Sequence, residues 1–454
     1  MCRILFFTSL FLLGYWSLLY TASAQNLKLI QDTEIEERLH TFAAPILEIA
    51  DLKSSSVKIY IVNDDSLNAF VAGGQKIFIN TGLILRSDSA NQIIGVIAHE
   101  AGHISGGHLS RVSNLLSKSS TSSILGAIIG GAAVIATGSS DLGAAIMTTG
   151  QTVAKQNVLA YSRTQEGAAD HAALGFLENT RQSARGLMRF MQILENQDLL
   201  SVAQQDPYAR SHPLSRDRIA AIEHHIANSQ FSDMDDTEQV KTGYSRIKAK
   251  LFAYLRPYKQ TLKTYPKTNK STVARYARAI AEFRNSNLDK ALLIMDNLIK
   301  EMPADPYFQE MKGQMLFEHG RIPESLLAYN KAAKLLPEAH YIRRDLARVQ
   351  IEMGAKYLTS AITNLDFALQ KDRGSIKNWR LLAIACGRNG NLPRSYLALG
   401  EEALLKQKYK IAQFQANRAK KSFKKGSREW LQAEDIEMAA KMLARKKKLQ
   451  STRK

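Results

Sequence analysis

Residues 93–103 read Ile-Ile-Gly-Val-Ile-Ala-His-Glu-Ala-Gly-His. The run before the first histidine is apolar, which favours a buried helix, and helical positions four apart share one face. His99 and His103 can therefore direct two imidazole nitrogens at one zinc ion. Glu100 then lies beside the open coordination position, where a carboxylate can take the proton of a zinc-bound water that attacks a carbonyl group. A buried helix with two incidental histidines is the alternative, so the predicted zinc site needs support elsewhere in the chain.

A catalytic zinc ion needs a third protein ligand and leaves its fourth position to water. His108 is the nearest candidate, but it follows His103 by five residues, whereas the metzincin pattern requires six. We therefore expect His108 to pack beside the site. Glu166 and Asp170 are four apart on a second predicted helix, so Glu166 can bind the metal while Asp170 holds a ligand imidazole through its ring N–H. The small residues 167–169 would let this helix approach the first one closely.

The N-terminus has the pattern of an export signal, which we assign to residues 1–24. Arg3 supplies a positive charge, residues 4–19 are almost wholly apolar, and Ala-Ser-Ala at residues 22–24 is a small-residue cleavage site. The mature chain would begin near Gln25. An uncleaved membrane anchor is the alternative, but the apolar run is short for a membrane span.

Composition limits the classes of partner. The signal would remove Cys2 and leave Cys386 alone, so the mature chain cannot form an internal disulfide. The net charge of +19 is concentrated in late runs such as residues 418–425 and 445–448, and a basic surface favours anionic partners. For an exported chain these are lipid head groups or acidic proteins, with a peripheral membrane contact, and not nucleic acid. A solvated helix face with a basic tail is the alternative.

The first half of the mature chain mixes strands and helices. We predict strands at residues 57–62 and 76–80, with helical patterns between and after them. Residues 117–123 form a Ser/Thr-rich loop, and residues 124–137 are apolar and rich in Gly and Ala. This apolar stretch is too short to span a membrane, so we predict a mobile flap or an interfacial segment, with a buried helix pair as the alternative.

The second half repeats. Phe283 and Phe317 open matched segments that are 34 residues apart, and Pro303 and Pro337 keep the same offset. A helix-turn-helix period of 34 residues is typical of tetratricopeptide repeats, which stack into a solenoid with a concave binding face. The turn at Gly390 continues the series with a slight irregularity.

A change of composition separates the two halves. Residues 229–239 are polar and acidic, and Pro257 and Pro266 follow among Lys and Thr residues. We therefore predict a first domain over residues 25–255 and a helical repeat domain over residues 256–454.

The first domain resembles a known family, the membrane and periplasmic metallopeptidases that include the CAAX prenyl protease and the HtpX heat-shock protease. The resemblance spans about 150 residues and depends on four motifs in a fixed order. These motifs are residues 68–83, residues 99–103, residues 166–170, and residues 211–213 followed by Arg218.

The resemblance implies an α+β fold, with a mainly helical zincin-like metallopeptidase domain before the all-α solenoid. It implies one Zn2+ per chain, with His99, His103 and Glu166 as ligands and Glu100 as general base. It also makes strand 76–80 an active-site edge that can bind substrate backbone by strand addition.

The resemblance further implies a histidine that can enter the water position and keep the enzyme latent, and it falls on His212. A fourth imidazole would displace the attacking water. In the alternative, His212 and Arg218 line the cleft and stabilise the oxyanion of the tetrahedral intermediate.

Domain order suggests the periplasmic, repeat-containing subgroup of this family. That subgroup degrades outer-membrane proteins and their assembly machinery, or helps them to mature. We therefore expect a periplasmic zinc endopeptidase with protein substrates, peripheral to the outer membrane. The alternative is a chaperone or binding protein that acts through its repeats and has a latched or structural zinc site.

Overall fold

The computed structural model describes residues 27–108, 152–198 and 205–452. The predicted signal at residues 1–24 and the apolar stretch at residues 124–137 lie outside them. Within the described residues, no helix is both long enough and apolar enough to cross a membrane.

The first half of the chain contains a small mixed sheet. Its strands lie in the order β1-β2-β4-β3, and β2 and β4 are parallel while the two outer pairs are antiparallel. Isoleucines alternate along β2 and β4 and point into one apolar core, which explains the two predicted strands. The strands are β1 (Leu29–Ile30), β2 (Lys58–Val62), β3 (Ala69–Ala72) and β4 (Lys76–Asn80).

The expectation that strand 76–80 is a sheet edge is wrong. β4 pairs with β2 on one side and with β3 on the other, so its backbone groups are already bonded. Within the described residues, the edge strand next to β4 is β3, whose other side is unpaired. Strand addition at this end of the sheet can therefore take place on β3.

Helices cover one face of the sheet. The third of them carries the histidine motif and is buried from Gln92 to Gly102. Its apolar run packs into the same core as the strand isoleucines. These helices are α1 (Thr33–Ile49), α2 (Thr81–Arg86), α3 (Ala90–Ser105), α4 (Thr152–Asn179), α5 (Arg185–Asp198), α6 (Pro207–Ser211), α7 (Arg216–Asn228) and α8 (Glu238–Leu255).

The second half is helical throughout its described length, as the 34-residue period predicts. Equivalent turns at Ser286, Gly320, Gly354 and Gly390 all adopt positive φ, between 61° and 90°, a conformation that glycine allows without strain. The predicted fold class, an α+β domain followed by an all-α solenoid, is confirmed. Its helices are α9 (Tyr258–Thr264), α10 (Thr272–Arg284), α11 (Leu288–Glu301), α12 (Pro306–Glu318), α13 (Ile322–Leu335), α14 (His340–Glu352), α15 (Leu358–Lys371), α16 (Ile376–Arg388), α17 (Leu392–Leu405), α18 (Tyr409–Ser422) and α19 (Arg428–Thr452).

Helix α8 joins the two halves. Ile247 and Leu251 belong to the core of the first half, while Ala249 and Ala253 belong to the first core of the solenoid. The helix ends at Leu255, and the boundary between the domains at this residue stays a prediction. The first turns of the solenoid are therefore packed directly on the first domain.

A buried ionic network reinforces this junction. Arg246 of α8 pairs with Glu34 of α1 at 2.5 Å and also with Asp305, which caps α12 of the solenoid. Lys250, one turn further along α8, pairs with Asp32 at 2.8 Å. Since an uncompensated buried charge is costly, removing one member should loosen the attachment between the halves.

The same junction should make stability depend on pH. Burial, with a smaller contribution from Asp32, raises the pKa of Glu310 from 4.5 to about 8. The folded chain then holds a proton that the unfolded chain releases, so Glu310 lowers stability as pH rises from about 4.5 to 8. We expect the melting temperature to fall between pH 6 and 8.5 in both proteins. The fall should be about 2–4 °C smaller in Glu310→Gln than in the wild type.

Differential scanning calorimetry at both pH values measures this difference. Exposed Glu195 on α5 offers the matched control, and Glu195→Gln should follow the wild type. Equal pH dependence of Glu310→Gln and the wild type would contradict the assignment of Glu310.

Candidate metal centre

The centre lies where α3 and α4 cross. A methyl group on Gly102 would come within 2.7 Å of the carbonyl oxygen of Ala169, so the close approach of the two helices requires glycine on α3. Of the small residues 167–169, which were expected to permit this approach, Gly167 and Ala168 do not take part in it. Both are exposed, and a side chain at Gly167 would meet open space. Ala169 alone of the three is buried at the crossing.

Four side chains from three segments converge on one point. They are His99 and His103 of α3, Glu166 of α4, and His212, which follows α6. One nitrogen or oxygen of each lies within 4.8 Å of the others, and all four residues are placed together in the interior. The two Nε2 atoms of α3 are 3.1 Å apart.

Glu166 and His212 complete the group. Glu166 Oε2 lies 3.3 Å from His99 Nε2, and its Oε1 lies 3.5 Å from His103 Nε2. His212 Nδ1 lies 3.0 Å from Glu166 Oε2 and 3.3 Å from His99 Nε2. The structure thus places the imidazole of His212 at the fourth corner of the set.

Neighbouring groups orient the two imidazoles of α3. His99 Nδ1 lies 2.8 Å from Asp170 Oδ1, and His103 Nδ1 lies 2.9 Å from His108 Nδ1. Each ring therefore turns its Nε2 toward the centre. His108 lies beside the site, outside the group of four, as its spacing in the sequence predicts.

Glu100 is the buried carboxyl group next to the centre. Its side chain is 1% exposed, and Oε1 lies 3.7 Å from His212 Nε2. Among the described residues, Oε1 has no hydrogen-bond partner. Burial raises the pKa of Glu100, although the neighbouring His212 and His99 oppose the shift. An acceptor left unsatisfied at this depth suits a group that exchanges a proton with a small ligand.

Arg218 is buried against Asp170 and the backbone of His212. Its Nε and Nη2 donate to Asp170 at 2.5 and 3.0 Å, and its Nη1 donates to the carbonyl oxygens of His212 and Pro213. The side chain is 4% exposed. Its Nη1 also lies 3.3 Å from Glu166 Oε2. In this conformation the guanidinium supports Asp170 and the His212 segment, and its contact with substrate or oxyanion stays a prediction. We interpret Arg218 as a positioning residue for Asp170 and for the His212 backbone.

Two residues near His212 escaped the sequence analysis. The Tyr208 ring stacks on His212 with centroids 4.3 Å apart and is fully buried. Asp206 accepts hydrogen bonds from the backbone N–H of Leu67 at 2.9 Å and from Arg86 at 2.8 Å. These contacts tie the His212 segment to the start of β3. The available signal was Tyr208, four residues before His212, but this spacing alone is too common to be specific.

The charges of the centre are strongly coupled. Burial alone would raise the pKa of Glu166, but His212 and His99 outweigh it and hold that pKa well below its usual range. Burial and the neighbouring His99 hold the pKa of His103 well below 6.5. Burial opposes a charge on His99, yet Asp170 and Glu166 raise its pKa to about 10. Glu166 is therefore held as the carboxylate that binds a metal ion, whereas a metal ion would have to displace the proton that Asp170 and Glu166 favour on His99.

Zinc fits the donor set. Ligands about 2.0–2.1 Å from a tetrahedral ion lie about 3.3 Å from each other. The atom pairs given above are separated by 3.0–3.5 Å. Nitrogen and carboxylate oxygen are ligands that zinc accepts, and the second nitrogens of the α3 imidazoles are occupied as in known zinc sites. A centre of this kind, with a carboxyl group directly beside it, is typical of metallopeptidases.

One family model matches the part of the chain that contains this centre. Residues 30–226 match the model of peptidase family M48. The chain therefore carries a peptidase family M48 domain. The matched region begins at β1 and ends within α7, and it includes every residue of the metal centre.

Relatives extend the similarity into the solenoid. The beta-barrel assembly-enhancing protease of Escherichia coli K12 is 21% identical over 82% of this chain and 76% of its own length. The protein of that name from Yersinia pestis is 21% identical over 84% and 78%. A protease HtpX homolog of Acidiphilium cryptum is 29% identical over 37% of this chain and 67% of its own. MamA from Desulfovibrio magneticus, a solved structure, is 16% identical with a TM-score of 0.29 and covers 41% of this chain and 96% of its own.

Asp170 offers a direct test of the site's architecture. In Asp170→Asn we expect zinc affinity to fall about 10- to 100-fold, because the support of His99 and the pairing with Arg218 are both weakened. Competition with a chromophoric chelator measures the affinity. Asp217→Asn, at an exposed position on α7, is the matched control and should keep the wild-type affinity. Unchanged affinity in Asp170→Asn would contradict its supporting role.

Proposed function

We propose that the chain is an exported zinc endopeptidase that cleaves misfolded or stalled envelope proteins in the assembly and quality control of outer-membrane proteins. The observation that carries the proposal is the convergence of His99, His103 and Glu166 beside the buried carboxyl group of Glu100. The family M48 match supports a metalloprotease. We infer beyond this match that the metal is zinc, that the activity is that of an endopeptidase, and that the protein acts in the envelope.

Each residue of the centre has a part in the proposed reaction. Bound zinc would polarise the scissile carbonyl group and lower the pKa of its water toward about 7. Glu100 is placed to accept a proton from a water molecule in the centre and to return it to the leaving amine. Asp170 holds the His99 imidazole, and Arg218 holds Asp170. Because these groups are buried and preorganised, little rearrangement is needed during the reaction.

The edge of the sheet offers a place for the substrate backbone. β3 (Ala69–Ala72) has its outer side unpaired among the described residues, and α3 packs against this strand. An extended polypeptide that adds to β3 would gain main-chain hydrogen bonds with little demand on its sequence. Such binding suits an enzyme that acts on unfolded chains of many sequences.

His212 would regulate access to the centre. Its imidazole occupies the position that an attacking water needs, and Tyr208 and Arg218 hold it there. We infer that the described conformation is latent and that activity requires the His212 segment to move away. The placement of Nδ1 toward Glu166 favours this latch over the oxyanion alternative.

Export and partners rest on other observations. Residues 1–24 have the pattern of a cleaved signal, which favours the periplasm, and the basic C-terminus favours a peripheral contact with anionic lipid. The names of two relatives point to β-barrel assembly, so outer-membrane proteins and their assembly machinery are the proposed partners. Recovery of the mature chain, beginning near Gln25, in the periplasmic fraction would support this assignment, whereas recovery in the cytoplasm would exclude it.

One observation favours a second function. Since His212 completes a four-ligand set, the site could be chronically closed, as in structural zinc sites. The chain would then act as a chaperone or binding protein through its solenoid. Glu100 argues against this alternative, because a structural site has no use for a buried carboxyl group beside the metal.

Removal of the metal tests the proposed activity. Dialysis against 1,10-phenanthroline should abolish cleavage of unfolded casein, and one equivalent of Zn2+ should restore it, because the ligand set is fixed by the fold. Mg2+ prefers octahedral oxygen ligands and should not restore cleavage. Cleavage that persists after complete removal of zinc would exclude the zinc mechanism.

A further inference from the structure

A second concave site lies on the other face of the sheet. It is bounded by Tyr60 of β2 and Phe78 of β4 on one side and by α16, α17 and α18 of the solenoid on the other. Its volume is about 1120 Å³, larger than most small-molecule pockets. We call it the sheet–solenoid cleft.

The floor of the cleft is an aromatic stack. Phe78 lies between Tyr60 and Phe70, with ring centroids 5.2 and 4.9 Å away and interplanar angles of 20° and 8°. The three residues are register partners on neighbouring strands and are half-buried. Tyr60 and Phe78 line the cleft, and Phe70 extends the stack beside them. Aromatic surface of this kind binds apolar or aromatic side chains of a ligand.

The rim of the cleft is basic. Two carboxylates, Asp372 and Glu402, also line it, and Glu402 is already paired with Lys406 at 2.5 Å. Lys76 and Lys408 have no carboxylate partner among the described residues. The cleft therefore keeps an excess of positive charge that favours an anionic ligand. The cationic side chains are Lys76, Lys377, Arg380, Lys406 and Lys408.

The two walls of the cleft are held together by direct contacts. Lys58, beside Lys76 in the strand register, donates to the carbonyl oxygen of Lys371 at the end of α15 at 3.2 Å. Arg344 of α14 donates to Gln31 at 2.8 Å. These bonds fix the sheet against the solenoid, so the cleft is a formed feature of the fold.

One strand contacts both the aromatic stack and the helix that carries the histidine motif. β3 carries Phe70 in the aromatic stack, and α3, with the histidine motif, packs against the same strand. The volume of the cleft exceeds that of most small-molecule pockets, so an extended polypeptide segment fits it better than a small molecule does.

We propose that the sheet–solenoid cleft is an exosite for an extended, acidic, aromatic-bearing segment of the polypeptide client. The segment stacks an aromatic side chain on Phe78 and pairs carboxylates with Lys76 and Lys408. The proposal builds on the proposed peptidase function and names the chemistry of its clients. It explains why a peptidase keeps a basic solenoid wall against its sheet.

The test compares two substrates and one charge-reversed variant. A quenched peptide of about eight residues fills only the metal site, whereas unfolded casein is long and acidic and reaches the cleft. In Lys76→Glu/Lys408→Glu, the KM for casein should rise roughly 5- to 30-fold, because two ion pairs are replaced by repulsion. The kcat/KM for the short peptide should stay unchanged. Lys331→Glu, an exposed charge on α13 outside the cleft, should behave as the wild type on both substrates.

A binding measurement makes the test independent of turnover. A fluorescein-labelled 16-residue peptide with Asp, Glu and Phe should bind the wild type by anisotropy and lose roughly 5- to 30-fold in affinity in the double variant. A counterpart with Lys in place of Asp and Glu should bind much more weakly. Equal affinity of the two peptides, or equal affinity of variant and wild type, would overturn the exosite.

The two proposals fail in different ways. If the acidic peptide binds in the cleft but neither substrate is cleaved, the peptidase function fails and the binding site stands. If both substrates are cleaved and the charge reversal changes neither KM nor peptide affinity, the exosite fails and the peptidase stands.

Discussion

Glu100→Gln should reduce kcat/KM for casein about 10²- to 10⁴-fold while the zinc content of the protein stays the same. This range is typical of a lost general base, and glutamine keeps the size of the buried side chain but cannot accept the proton. Glu100 is 1% exposed and its Oε1 has no hydrogen-bond partner among the described residues. The substitution therefore breaks no hydrogen bond at Oε1, and the packing neighbours need not move. Metal analysis and initial rates on the same preparation measure both quantities.

Glu223→Gln, at an exposed position on α7, is the matched control for this change and should retain full activity. Complementation separates the peptidase from the chaperone alternative. A strain that lacks the protein should keep its envelope defect when it receives Glu100→Gln. Full rescue by this variant would favour a chaperone and would argue against the need for proteolysis.

His212→Ala should increase casein cleavage roughly 10- to 100-fold. The imidazole contacts the Glu166 carboxylate at 3.0 Å, and a hydrogen bond to a charged group contributes about 1.5–3 kcal/mol. Loss of this contact would open the position that the attacking water needs. Because His99, His103 and Glu166 remain, the zinc content should stay at one per chain.

The control for this change is His224→Ala, at an exposed position of α7, which should leave the rate unchanged. A second readout comes from the short quenched peptide, whose cleavage should rise by the same factor because the latch acts at the metal. Lower turnover of His212→Ala with unchanged zinc would exclude the latch and favour a direct part for His212 in the reaction.

Local spacing explains what the sequence could predict. His99, His103 and Glu100 sit within one and a half helical turns, so a single helix places them without knowledge of the rest of the fold. The solenoid is equally local, because each repeat contacts its neighbours and the period of 34 residues is visible in the chain. Glu166 could be proposed from its spacing to Asp170, and His212 only from the resemblance to a family. The structure brings both side chains to the α3 motif.

Non-local arrangement explains what the sequence could not predict. The order of strands decides that β3 and not β4 is the edge, and no local pattern in residues 76–80 encodes its two partners. In the same way, helix rotation decides that Ala169 faces α3 while Gly167 and Ala168 face outward. Small side chains permit a close approach, but they do not determine which face makes it.

The role of Arg218 depends on burial, which spacing alone does not give. The sequence placed it six residues after His212, which fits both a cleft residue and a support. Its contacts with Asp170 and with the His212 carbonyl group favour the support. Tyr208 and Asp206 were missed for the same reason, since their importance comes from what they touch after folding.

We propose that this chain is a zinc endopeptidase that His212 holds latent. The most direct measurement is the zinc content of the purified mature protein, determined together with its casein-cleaving rate, for the wild type and for His212→Ala. We predict one zinc per chain in both proteins, metal-dependent cleavage, and a faster rate in the variant. A protein without bound zinc, or one zinc per chain with no cleavage in either protein, would contradict the account.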